Sequence, residues 1–195
     1  MYNVESMKIK ENTALIVIMI VVAAMTRLIP HYPNFTAVGA VALFGGAYLS
    51  KRMAFIIPVI ALFVSDLFLN NLIYAKQFPE FYEGFTLISL QALPIYGAFI
   101  VVIIIGMFFI KKATAKNVLG SAVLASVVFF LMTNFAVWAA SAMYPKTIDG
   151  LIACFAAAVP FFWNTLLGNV VFVAILFGGY EWARRRNFQL TLSRG

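Results

Sequence analysis

The chain has 195 residues, of which 64% are hydrophobic and only 11% are charged. Soluble domains are about half apolar and a quarter charged, so this composition excludes a water-facing globule and indicates a polytopic membrane protein. The net charge of +7 comes from short basic clusters between apolar runs, which is typical of membrane loops. We therefore expect the lipid bilayer as a partner and no nucleic acid.

Six apolar runs follow one another along the chain. A helix needs about 20 mostly apolar residues to cross the ~30 Å hydrocarbon core. By that measure the chain is predicted to form six transmembrane helices, at roughly 13–29, 35–49, 53–74, 85–110, 117–143 and 151–183. The connections are short, so residues 1–195 are expected to form a single transmembrane domain, an all-α integral membrane protein built as a compact six-helix bundle.

The first apolar run could be read as a cleaved signal peptide, and the last is unusually long. Lys8 and Lys10 precede the first run, which ends in small residues as a signal peptide does. Because the run continues to Ile29, long enough to span, we expect it to be retained as the first helix. The last run is longer than one crossing requires and is expected to project beyond the bilayer.

The basic residues predict the orientation. With the N-terminus inside, 11 of the 14 Lys and Arg residues fall on the inner side, and only Arg27, Lys76 and Lys146 fall on the outer side. Positive charge concentrates in cytoplasmic loops. Both termini are therefore predicted to be cytoplasmic, in a multi-pass protein of the inner (cytoplasmic) membrane.

The stretch from Arg27 to Arg52 combines a polar loop with an apolar run rich in small residues. The loop carries two prolines, a histidine and an asparagine, and the run contains Gly39, Gly45 and Gly46. Small residues let membrane helices approach closely. This stretch is predicted to be both a binding mouth and a packing hub.

Arg27 and Asp66 are the two ionisable residues that stand out within the apolar runs. Charged side chains inside a membrane are costly and are usually paired or functional. Arg27 ends the first run and Asp66 lies in the outer half of the third, so their depths match. We predict an Arg27–Asp66 pair, either a structural lock between two helices or part of a ligand site.

Other polar residues concentrate in the outer half and the middle of the predicted bundle, among aromatic side chains. Singly, each is most simply an interhelical hydrogen bond worth under about 1–2 kcal/mol. Together they suggest an apolar cavity with a few convergent polar groups, as small-molecule sites have. The candidate substrate-binding residues are Arg27, His31, Asn34, Asp66, Asn70, Gln91, Asn134, Trp138, Trp163 and Asn164.

Catalytic motifs are missing from the sequence. It contains no HExxH, GxSxG, Walker A or dinucleotide-binding glycine motif. One histidine and seven acids are too few for most multi-ligand metal sites, so no metal, cofactor or catalytic residue is expected and the protein is predicted not to be an enzyme. A membrane enzyme using Asp66 and His31 is the least favoured alternative.

The six short-looped helices with both ends inside resemble the substrate-binding S-components of energy-coupling-factor vitamin transporters. AVALFGGAYLSKRMAFIIPVIALFVSDLFL resembles their second and third helices. GLIACFAAAVPFFWNTLLGNVVFVAIL is similar to the A…GVxPFxxGD pattern of biotin-type members, with Trp163-Asn164 in place of an acid-containing GD. The chain also resembles an uncharacterised six-span family containing RLxPHxPNFTxVGA, SDLFL, TNFxVW, YPxTxxGL and PFFxNTLxG.

The resemblance to S-components implies capture of a vitamin-like or other micronutrient molecule from the outer face and its movement inward. It implies a transmembrane coupling subunit with ATPases as a partner, although the AxxxA docking pattern is missing from the first helix. The alternative form of this hypothesis is a transporter that works without the coupling subunit. The competing hypothesis is a non-transport structural or assembly protein, whose polar residues only join helices and whose outer half would be solidly packed.

Overall fold

The structure, a computed structural model, describes residues 4–80, 82, 84–89 and 92–192. These residues form helices and no strand, which confirms the all-α prediction for the described part of the chain. Six main helices are present within it, as predicted. They are α1 (Val4–Met25), α2 (Val38–Tyr48), α3 (Lys51–Phe68), α4 (Leu93–Phe109), α5 (Ala115–Ala140) and α6 (Ile148–Leu192).

The bounds of α1, α4 and α6 differ most from the predicted ones. α1 begins at Val4, well before the predicted start at residue 13. α4 begins at Leu93, with Pro94 in its first turn, where a proline is tolerated because its missing N–H has no helical partner there. Residues 85–89, predicted to be helical, are not. α6 has 45 residues and is about 68 Å long, more than twice the thickness of the hydrocarbon core.

Three helices are long and apolar enough to cross a membrane. They are Lys51–Gln77, Ala115–Ala140 and Ile148–Arg186, and they indicate a membrane protein, in agreement with the composition. Three further apolar helices, Thr13–Leu28, Val38–Tyr48 and Leu93–Phe109, are shorter. With 11 residues, α2 is only about 16 Å long.

α2 lies at the centre of the bundle, where it contacts all five other main helices. Its glycines permit this, because an added Cβ on Gly45 would collide with the ring of Pro58 in α3. A Cβ on Gly46 would meet the carbonyl oxygen of Ile103 in α4. The predicted packing hub is therefore confirmed, with glycines at its closest crossings.

Residues 29–37 connect the first helix to α2 and are called here the 29–37 connection. At the opposite end of the bundle, an aromatic cluster joins α2 to α6. Phe44 and Tyr48 of α2 pack with Phe177 and Tyr180 of α6, with ring centroids 4.5 to 5.7 Å apart. The Tyr48 hydroxyl donates a hydrogen bond to Glu181 Oε1 at 2.7 Å. This end is filled by side chains, whereas the other end is not.

Candidate functional site

A cavity of about 560 Å³, called here the main cavity, lies at the end of the bundle that carries the 29–37 connection. Its volume falls within the range of roughly 300–1,000 Å³ typical of small-molecule sites. Its wall is built from α2, α4, α5 and α6, from the residues that follow α1 and α3, and from the 29–37 connection. The described lining consists of Arg27, Leu28, Ile29, Pro30, His31, Pro33, Asn34, Thr36, Val38, Gly39, Leu69, Ile73, Tyr74, Gln77, Phe78, Ile95, Phe129, Thr165 and Asn169.

One wall of the main cavity is a widened turn at the end of α3. Residues Leu69–Tyr74 are π-helical, and the helix then continues through Ala75–Gln77. Single π-helical turns are uncommon and often occur at functional sites. Five residues from this extension and the position after it line the cavity: Leu69, Ile73, Tyr74, Gln77 and Phe78.

The same turn tethers the connection that follows it. The Asn71 side chain forms two reciprocal hydrogen bonds with the backbone of Thr86, one from Nδ2 to the carbonyl oxygen at 2.9 Å and one from the Thr86 N–H to Oδ1 at 2.8 Å.

Tyr82 lies in the segment between the π-helical turn and α4. Burial raises the pKa of its phenol, with smaller contributions from Tyr74 and Asp66. The Tyr82 phenol therefore stays neutral at physiological pH.

Arg27 and Asp66 form the predicted ion pair, with Nη1 2.6 Å from Oδ1. The same Nη1 donates a hydrogen bond to Ser65 Oγ at 2.6 Å. The Tyr96 hydroxyl of α4 donates to the other carboxylate oxygen of Asp66 at 2.8 Å. Both side chains of the pair are mostly buried, with 12% and 14% exposed. The pair therefore joins the end of α1 to α3 and, through Tyr96, to α4.

Arg27 retains donor capacity beyond this pair. A guanidinium carries five N–H donors, and the contacts to Asp66 and Ser65 both use Nη1. Its Nε is buried and has no hydrogen-bond partner among the described residues. Arg27 belongs to the described lining of the main cavity and Asp66 does not. Of the two paired residues, the cationic Arg27 is therefore the one that lines the cavity.

His31 and Asn34 reach the main cavity from the 29–37 connection. Asn34 has a φ of 63°, in the left-handed region that asparagine adopts more readily than most residues. His31 is exposed, and its Nδ1 lies 2.8 Å from the carbonyl oxygen of Tyr32. Of the predicted site residues, the structure thus brings Arg27, His31 and Asn34 together.

A second cavity of about 80 Å³ adjoins the main one between α5 and α6. The two share Asn34, Phe129 and Thr165 in their linings. Asn134 lines only the second cavity, and its Nδ2 donates to the carbonyl oxygen of Phe130 in the same helix at 2.7 Å. Asn134 is therefore at the edge of the site rather than in the main cavity.

Three predicted site residues in α5 and α6 lie outside the described linings of both cavities. The Trp138 indole N–H donates to the carbonyl oxygen of Pro145 at 2.9 Å and holds the 141–147 connection. Asn164 Nδ2 donates to the carbonyl oxygen of Pro33 at 2.9 Å. Trp163 is 57% exposed and faces away from the bundle.

The remaining predicted residues are Asp66, Asn70 and Gln91. Asp66 lies behind Arg27, as described above. Asn70 is buried within the π-helical turn, with 6% of its surface exposed, but does not belong to the described cavity lining. Gln91 lies outside the described residues.

The main cavity also contains polar residues that the predicted site omitted: Thr36, Gln77, Thr165 and Asn169. Asn169 is 2% exposed, and its Nδ2 donates to Ser126 Oγ of α5 at 2.8 Å. A Cβ on Gly39 would collide with the Asn169 amide, so the glycine lets this amide lie against α2. Thr165 and Asn169 are four residues apart and share one helix face, which is the signal that would have identified them.

The chemistry of the main cavity is that of a binding site. Its described lining provides one guanidinium, three amides from Asn34, Gln77 and Asn169, further polar groups and a majority of apolar side chains. Within the described part of the chain, no three His, Cys, Asp or Glu side chains come close enough together to hold a metal ion. The arrangement can orient and bury a small molecule.

Comparison with known proteins places the chain in a family. Neither the curated proteins nor the solved structures yielded a match. One family model matches residues 7–191 and therefore covers α2 to α5, most of α1 and α6, and both cavities. The chain belongs to DUF6580, a family of unknown function.

Proposed function

We propose that the protein binds a small vitamin-like or other micronutrient molecule at the outer face of the membrane and carries it inward, as S-components do. The observation that carries this proposal is the main cavity of about 560 Å³. Protein interiors are otherwise close-packed, with few voids larger than a water molecule. A protein whose polar residues served only to join helices would have no use for such a space.

In this proposal all six helices cross the inner membrane and both termini are cytoplasmic. The distribution of charge supports it, because Arg27, Lys76 and Lys146 belong to the end with the cavity and most other basic residues to the opposite end. A helix as short as α2 is compatible with it, because α2 is surrounded by protein. Non-helical backbone at membrane depth is tolerated where protein or a water-filled cavity covers it.

The lining suggests how the molecule would be held. Apolar side chains such as Ile73, Phe78 and Phe129 would bury it, and the polar groups of Arg27 and Asn34 would orient it. We assign a non-enzymatic role because these groups position a ligand rather than pair a nucleophile with a base. A transmembrane coupling subunit with ATPases is the proposed partner. The alternative within this proposal is that the protein transports its ligand without such a partner.

The structural hypothesis has its own support in the interhelical hydrogen bonds. Asn169 joins α6 to Ser126 of α5, and Asn164 joins α6 to Pro33 of the 29–37 connection. Under this hypothesis these bonds are the purpose of the polar residues, and the main cavity holds no specific molecule.

Native mass spectrometry of the gently purified protein tests the proposal. A small molecule bound in stoichiometric amount is expected. Uptake by proteoliposomes that contain this protein alone would indicate that it works without a coupling subunit. Thr165→Trp, which fills the cavity, should abolish binding. Leu167→Trp on the same helix is the matched control, because Leu167 is 55% exposed and not in the described lining.

The proposal would be contradicted if the mass spectrum showed only the protein without a bound molecule and if a panel of vitamins also left the protein's melting temperature unchanged. Equal behaviour of Thr165→Trp and Leu167→Trp would contradict the location of the site. Either result would favour the structural hypothesis.

A further inference from the structure

We infer that the molecule bound in the main cavity is a small aromatic or heteroaromatic carboxylate, held with its anionic group towards Arg27. This inference rests on the proposed binding function and adds the chemical class of the ligand.

The wall of the main cavity carries positive charge and no described negative charge. Among the described lining residues, Arg27 is the one arginine or lysine, and none is an aspartate or glutamate. A cationic ligand would therefore find no described carboxylate, and burying an unpaired charge is costly. An anionic ligand would find a guanidinium.

The arrangement around Asp66 strengthens this argument. Its two carboxylate oxygens are engaged, one by Arg27 and the other by the Tyr96 hydroxyl. Asp66 therefore holds Arg27 in place and is not free to receive a ligand amine. Arg27 in turn contacts Asp66 and Ser65 through Nη1 alone. Because Arg27 also lines the cavity, its guanidinium can donate to a carboxylate there.

The start of α2 adds positive potential on the same side of the cavity. Val38 and Gly39, its first two residues, line the cavity, and the N-cap position is Ala37, which provides no side-chain cap. The first N–H groups of a helix have no partners within it, and the helix dipole favours an anion there. This potential adds to that of Arg27.

The rest of the lining suggests the remainder of the ligand. Tyr74, Phe78 and Phe129 provide aromatic surfaces, and Ile29, Ile73 and Ile95 provide aliphatic ones. Aromatic rings pack well against such side chains in offset or edge-to-face geometry. A planar ring with one carboxylate combines the apolar surface and the charge that the cavity complements.

Calorimetric titration of the full chain in phosphatidylcholine nanodiscs tests the inference, because these nanodiscs contain no anionic lipid to compete. The probes are triads built on pyridine, indole and naphthalene rings, each consisting of a carboxylate, its primary amide and the corresponding primary amine. Within each triad the ring is the same and the charge changes. At least one carboxylate should bind on the order of tenfold more tightly than its amide, and the amine should bind most weakly.

Two variants at one position separate charge from shape. Gln77 is an exposed member of the lining. Gln77→Glu should weaken carboxylate binding and Gln77→Lys should strengthen it, each by roughly three- to tenfold, with little effect on the amide. A purely steric effect would change both variants in the same direction and would contradict the inference.

The outcomes distinguish this inference from the proposed function. Preferred binding of amides or amines would overturn the carboxylate assignment and leave small-molecule binding intact. Failure of every compound in all three triads would overturn the assignment and would also remove support for the binding function. Equal binding of all members of a triad would show that Arg27 does not select the ligand.

Discussion

Replacing Asp66 by asparagine should strongly destabilise the protein. The variant keeps the shape of the side chain but removes the charge opposite Arg27. The Arg27 side chain is only 12% exposed, so its guanidinium would be left mostly buried without a counter-ion. Breaking a buried pair from one side is costly for this reason.

The size of the effect follows from the geometry. At the observed 2.6 Å, the Coulomb attraction is about 6 kcal/mol for an effective dielectric constant near 20. Part of it is offset because the lost carboxylate no longer has to be desolvated. The expected loss is therefore about 3–5 kcal/mol, in line with other buried pairs, or a fall in melting temperature of roughly 10 °C for a chain of this size.

The double variant Arg27→Gln with Asp66→Asn provides the control. It removes both charges and leaves no lone buried ion, so it should melt within a few degrees of the wild type. Thermal unfolding in nanodiscs, followed by intrinsic tryptophan fluorescence, measures all three proteins. If Asp66→Asn melts with the wild type, or if the double variant is no more stable than the single one, the reasoning about the pair is wrong.

Three further changes test the packing, the tether and the α2–α6 contact. Gly46→Ala places a methyl group against an α4 carbonyl and should cost about 1–3 kcal/mol, whereas Gly120→Ala, which meets open space, should melt at or above the wild-type temperature. Asn71→Ala removes both hydrogen bonds to the backbone of Thr86, so amide exchange there should accelerate at least about tenfold by mass spectrometry; an unchanged rate would refute the tether. Tyr48→Phe removes a hydrogen bond to α6 and should lower stability by about 1 kcal/mol in denaturant titration, and no loss would show that this bond contributes nothing.

The main helices and the ion pair could be predicted because their signals are local. Runs of apolar residues determine which segments form helices, and the comparable depth of Arg27 and Asp66 follows from their places in those runs. The start of α4 could not be predicted in the same way. Residues 85–89 are apolar enough to extend a helix, but the Asn71 side chain binds the backbone of Thr86 outside one. That contact joins positions 15 residues apart, and no local pattern reports it.

The candidate site was predicted from residue types. The structure shows that the helix face on which a residue lies determines whether it reaches the cavity. Trp163 is aromatic and lies near polar neighbours, yet it shares an exposed face with Leu167, four residues later. Thr165 and Asn169 lie on another face and reach the cavity. Gln77 was beyond the predicted end of its helix, because the π-helical turn carries α3 further than the apolar run suggests.

The central position of α2 has a consequence for how the protein is made. α2 is about 16 Å long, too short to cross the bilayer as an independent span, and eight of its residues are buried by the surrounding helices. During synthesis it cannot be fully covered until α6, the last of those helices, has left the ribosome. An intermediate ending after α5 leaves uncovered the face of α2 that contacts α6 in the folded chain. Completion of α6 is therefore the step that finishes the covering of α2.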